Sequence, residues 1–203
     1  MRLKNIAVVA TTFCMSCALS FAQSGGSSSS STQASTAAPT IASILNGQLR
    51  GIEGEIMGAA EAVPEDKFDF SPGTANIPGD FKTPEPVRTM SEQFKHIGDA
   101  LESYSSRIMG EKPPSTSGEN GPKNIKTKQE VIDYLKGAFA KAHSAIDMIT
   151  AQNATEELGT GSRKPTRLSL AVQMIGHSNN HYGQIIEYLR MNGIVPTESR
   201  PRK

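Results

Sequence analysis

A chain of 203 residues with 36% hydrophobic and 5% aromatic residues holds enough apolar material for one packed domain, and too little for two. Its 21 Lys and Arg against 20 Asp and Glu leave a net charge of +1, which excludes the basic surplus of a nucleic-acid groove. Both of its 2 cysteines, Cys14 and Cys17, lie near the N-terminus, so nothing downstream can build a disulfide framework or offer a thiol nucleophile.

The first 22 residues read as a secretory signal peptide. Arg2 and Lys4 form a basic start, Ile6 to Leu19 is largely apolar, and Ser20-Phe21-Ala22 supplies a small-x-small cleavage pattern. The apolar run is short for a membrane span, so cleavage is expected over retention as an N-terminal anchor. No lipobox precedes Cys17, and the Cys-x-x-Cys pair leaves with the leader. Removing the leader takes two basic residues and no acid, which shifts the remainder to one net negative charge. Residues 23–39 are rich in Ser, Gly, Ala and Thr, a composition that cannot bury apolar surface and predicts a flexible linker.

From residue 40 the pattern becomes periodic. Ile41, Leu45, Leu49, Ile52 and Ile56 recur at steps of three and four and predict an amphipathic helix, weakened by Gly47, Gly51, Gly54 and Gly58. Pro64 ends it, and a loop punctuated by Pro72, Pro78, Pro84 and Pro86 follows. The second stripe is Phe94, Ile97, Leu101, Tyr104 and Ile108, stopped by Gly110, Pro113 and Pro114. Thr127-Lys-Gln-Glu130 is a capping-box pattern that opens a third helix with Val131, Leu135, Ala138, Ala142, Ile146 and Ile149 facing inward. A fourth stripe runs through Leu170, Met174, His177, His181, Ile185 and Tyr188, with Gly193 and Pro196 as stop signals. No segment alternates as a strand would. The expected fold is all-α, a four-helix bundle over 40–196 with a C-terminal tail of 197–203.

Two of the 4 histidines interrupt the last apolar stripe. His177 and His181 are one turn apart, roughly 6 Å between Cβ atoms, so both imidazoles face the same way. His96, at the edge of the second stripe, can project into the same core. Three neutral imidazoles hold a divalent ion and leave it at least one open position, as in catalytic zinc sites. The ion could be zinc, nickel, copper or iron. His143 sits at the apolar edge of the third helix and reads as a surface or supporting residue. Glu92 and Asp99, one turn before and after His96, and Gln184, one turn beyond His181, are the candidate proton-handling or substrate-binding groups. Their ordinary alternatives are solvated helix charges and an interhelical hydrogen bond.

The run His177-Ser-Asn-Asn-His181-Tyr-Gly-Gln184-Ile-Ile-Glu-Tyr-Leu-Arg190-Met-Asn-Gly-Ile-Val-Pro resembles the last helix of the DinB-like family, the DNA-damage-inducible-type metalloenzymes. The Phe94-Lys-His96-Ile segment matches that family's second-helix histidine. The resemblance spans about Ile41 to Pro196. It implies a four-helix bundle with a long crossover connection and a divalent metal on His96, His177 and His181. It also implies dimers in many members, and relatives that include thiol-dependent transferases and an isomerase. The export signal sets this chain apart from cytoplasmic relatives and argues against a cytoplasmic thiol cosubstrate. The function expected is a metal-dependent hydrolase or transferase acting on a small molecule outside the cytoplasm. The alternative is a non-catalytic metal- or ligand-binding bundle. No nucleic acid and, after cleavage, no membrane is expected as partner; a homodimer is.

Overall fold

Each periodic stretch is helical in the computed structural model, which describes residues 38–74, 86–115, 119–160, 162 and 164–196. The expected leader, nearly all of the Ser-rich linker and the C-terminal tail lie outside the described residues. The helices are α1 (Ile41–Ala62), α2 (Met90–Met109), α3 (Lys128–Asp147) and α4 (Arg167–Met191), with 3₁₀ turns at Glu65–Lys67 and Pro72–Thr74. Among the described residues there is no strand, only one antiparallel bridge between Glu157 and Thr166. None of the described helices is long and apolar enough to cross a membrane.

All four helices begin behind a threonine. The hydroxyls of Thr40, Thr89, Thr127 and Thr166 each accept the backbone N–H three residues on. Such a cap is worth about 1 kcal/mol. The capping box expected at Thr127 and Glu130 is present, and the N–H groups of Thr127 and Lys126 hold the Glu130 carboxyl below the usual range. Thr89 and Glu92 form a second box. α2 stops at Gly110, whose φ of 76° is the left-handed conformation that a C-cap glycine supplies.

Side-chain links between distant segments give the helix directions. Asn46, early in α1, meets Asp147 at the end of α3, while Lys128 at the start of α3 donates to the Glu61 and Val63 carbonyls at the end of α1. These two run antiparallel. So do α2 and α4, where Gln93 meets Gln184 and Ser105 meets Met174. α2 and α3 run parallel: Gly98 abuts Tyr134 in their first halves, and Ser106 accepts from Lys141 in their second. α1 and α2 each pack on both α3 and α4. The ring order is therefore α1, α3, α2, α4.

A parallel pair forces the α2–α3 connection to travel the length of the bundle. The chain between Gly110 and Thr127 makes this crossover, and Glu119, Asn120 and Gly121 lie against the start of α2. Arg88 Nε donates to the Glu119 carbonyl at 2.9 Å, and Asn120 donates to the Glu92 carboxylate at 2.9 Å. At Gly121 (φ 70°) an added Cβ would sit 2.6 Å from Lys95 Cβ, so only glycine permits the approach.

The core takes the predicted stripes almost whole. Leu49, Ile56, Phe94, Ile97, Leu101, Leu135, Ile146, Leu170 and Met174 are buried, and Phe68 stacks on Phe94 at 5.8 Å between ring centroids. Each such side chain contributes about 1.5–3 kcal/mol by leaving water.

Candidate metal centre

The α2–α4 seam carries the histidines. On α4, His177 and His181 share one face because four residues advance a helix by little more than one turn. Opposite them, His96 leaves α2 beside buried Ile97. One ligand nitrogen from each of His96, His177 and His181 lies within 4.8 Å of the other two. His96 Nε2 and His177 Nε2 face each other at 3.1 Å. The His181 ring stands 4.5 Å from each of the other two, centroid to centroid. His181 is buried, whereas His96 and His177 are half-buried, so the cluster sits where core meets solvent.

Its electrostatics favour neutral rings. Burial is the largest cause at all three, lowering His96 to about 4 and His181 to about 3, with His177 lowered as well. The Arg88 guanidinium lowers all three further, and the neighbouring imidazoles add to the effect at His96 and His181. At His96 the Glu119 carbonyl and carboxylate work in the opposite direction. A neutral imidazole keeps the lone pair that a metal requires.

The residues fit a divalent ion. Two nitrogens bound tetrahedrally at about 2.0–2.1 Å lie about 3.3 Å apart. The observed 3.1 Å is within a few tenths of that. The His181 Nδ1 edge pairs with Gln93 Oε1 at 2.8 Å. Because that oxygen can only accept, Nδ1 carries the proton and Nε2 is left for the cluster. His96 Nδ1 is buried without a hydrogen-bond partner among the described residues, unlike Nδ1 of His181.

Gln93 escaped the sequence reading. Its amide donates to Gln184 Oε1 at 2.8 Å and to the Tyr188 hydroxyl at 3.4 Å, and that hydroxyl donates to the Arg88 carbonyl at 3.1 Å. The signal was its spacing: three residues after Met90 and four before Ile97 puts an amide on the inward face, 1% exposed. Gln184 is thus two hydrogen bonds from His181, through Gln93. Glu92 accepts from the Thr89 N–H and from Asn120. Asp99 is half-buried and close enough to Tyr134 to raise its hydroxyl pKa, behind the larger effects of burial and Glu102. His143 belongs elsewhere, between Asn46 at 2.6 Å and Glu53 at 2.9 Å on the α1–α3 side.

The model of the DinB superfamily matches residues 48–185, which include all three histidines. Among solved structures, a DinB-like protein from Bacillus subtilis is similar, with a TM-score of 0.56 and 17% identity over 75% of this chain and 93% of that one. A DinB-like protein from Bacillus cereus ATCC 10987 aligns with a TM-score of 0.54 and 15% identity, over 74% and 94% of the two chains. No curated protein matches. At these identities the likeness speaks for the fold, the all-α four-helix bundle of DinB-like type. With the family model spanning more than half of its length, this chain belongs to the DinB superfamily.

Proposed function

We propose that His96, His177 and His181 hold one divalent metal ion and that the protein is a metal-dependent hydrolase or transferase acting on a small molecule. The observation that carries this reading is the convergence of three uncharged imidazoles, their ligand atoms within 4.8 Å of one another. A divalent ion on three such ligands supplies Lewis acidity and keeps coordination positions for solvent or substrate. The chain's own residues do the rest. Gln93 holds His181 in one tautomer, Gln184 and Tyr188 hold Gln93, and Arg88 keeps a positive charge beside the rings.

A second reading, a metal-binding bundle without catalysis, is favoured by the engagement of the candidate proton-handling groups. Glu92 is taken up by the α2 cap and Gln184 by Gln93. Elemental analysis of the purified protein beside His96→Ala and His181→Ala tests the shared premise. About one ion per chain is expected in the wild type, and a strongly reduced content in both variants. Equal content in all three would overturn the assignment. Zinc, nickel and iron are the candidate ions, and that measurement identifies which one is bound.

Export is proposed on the leader of residues 1–22. N-terminal sequencing of protein recovered outside the cytoplasm is expected to begin at Gln23. The homodimer expectation is checked by light scattering.

A further inference from the structure

At the end of the α2–α4 seam formed by the C-terminus of α2 and the start of α4 there is a cavity of about 370 Å3. Its walls include Arg107, Gly110 and Glu111 from the α2 end and Leu158, Pro165 and Leu170 from the loop and helix opposite. That volume falls within the range of small-molecule clefts, ~300–1,000 Å3.

Charge pairing around it is uneven. Lys141 pairs with Glu111 at 3.6 Å, Arg167 with Glu156, and Lys164 with Glu157 at 3.4 Å. Three of the carbonyls that end α2 are satisfied as well. Arg107 O accepts from Gly110 N–H, Ser106 O from Glu111 N–H, and Ile108 O from Arg167. Arg107 is the exception. Among the described residues its guanidinium makes no hydrogen bond or ion pair and rests 6.0 Å above the centroid of the Tyr104 ring. Tyr104 in turn lies edge-on to His177, 6.1 Å between centroids. One aromatic ring therefore links the cavity's free cation to the histidine cluster.

We infer that this cavity binds a small amphipathic carboxylate, its anionic end paired with Arg107 and its apolar body against Leu158, Pro165 and Leu170. A planar guanidinium with free N–H groups matches a carboxylate bidentately. Glu111, the acid on the same wall, is offset by Lys141 and leaves Arg107 to set the local sign. That the occupant is also the reactant of the histidine centre rests on the metal reading above, whereas the anion preference of the cavity does not.

The test uses hexanoate and its neutral counterpart hexanamide, titrated into the full chain after chelator treatment and followed by amide chemical shifts. Saturable shifts are expected at Gly110, Gly159 and Leu170. Hexanamide and the Arg107→Gln variant should bind about tenfold more weakly or worse, the usual loss on removing a charge-assisted pair. Arg107→Lys should retain more affinity than Arg107→Gln. Circular dichroism and the thermal midpoint show that the variants are folded. No saturable shift, or equal affinity in wild type and Arg107→Gln, would overturn the inference. Because metal-free protein is used, an empty histidine centre cannot cause that failure. Loading with Co2+ then tests the link. Broadening of bound hexanoate that disappears in His177→Ala supports a shared reactant, and binding without broadening refutes it while leaving the metal assignment to elemental analysis.

Discussion

Gln93 does for the site what no histidine can do for itself. Its carbonyl oxygen accepts a hydrogen bond from His181 Nδ1–H, and its NH2 group donates to Gln184 and Tyr188. Gln93→Leu is expected to lower metal affinity by about 10–100-fold with helicity unchanged, the usual cost of losing such an orienting partner. Competition titration with a chromophoric chelator measures it. The lowered histidines also set a pH dependence. In the unfolded chain these rings titrate near 6.5, but folded His96 and His181 stay neutral down to about 4 and about 3. The unfolded state therefore binds more protons over that window, and stability falls as pH drops from above 6.5 towards 4. The urea midpoint of the metal-free protein should be lower at pH 5 than at pH 7.5, with a smaller difference in His181→Gln. A pH-independent midpoint would contradict the burial of neutral rings.

Among the elements, the parallel α2–α3 pair depends on one missing side chain. A Cβ at residue 98 would lie 2.4 Å from Tyr134 Cε1, so Gly98 lets the helices approach with the Tyr134 ring between them. Gly98→Ala should cost about 1–3 kcal/mol, the typical effect of overfilling a packed interface, although alanine is the better helix former. Chemical denaturation decides between these opposed tendencies, and a stabilised variant would refute the close packing. The inward stripes were readable residue by residue because helical periodicity is local: Leu49, Ile56, Leu101, Leu135 and Leu170 are all buried as their spacing predicts. Caps were read less completely. Thr127 and Glu130 are legible as a cap because an apolar run follows at once, whereas Glu92 of the Thr89 box lies one turn before His96, where a solvated helix charge and a proton-handling group read alike. Its carboxylate closes the helix start, a role that depends on Thr89 and on Asn120 of the crossover.

For the molecule as a whole, the crossover is one global constraint and the proposed metal would be a second. α2 has 20 residues, about 30 Å of helix, and a chain needs at least about 9 extended residues to return along it. Deletions within residues 110–127 that leave fewer than this should abolish cooperative unfolding, while shorter deletions outside Glu119–Gly121 should not. An ion bound only by the folded state should add about 2.7 kcal/mol when present at about 100-fold above its Kd. The thermal midpoint should rise on metal addition, fall with chelator and stay unmoved in His96→Ala. Read alone, the chain settles which stretches are helical, which faces turn inward and that His177 and His181 share one side of a helix, because each depends on neighbours within a turn or two. It does not reveal the ring order α1, α3, α2, α4, the grip of Gln93 on His181, or that Arg107 has no charge partner among the described residues. Those properties arise when polar groups from segments far apart in sequence are brought out of water together, and which of them find partners is fixed only by the packed arrangement.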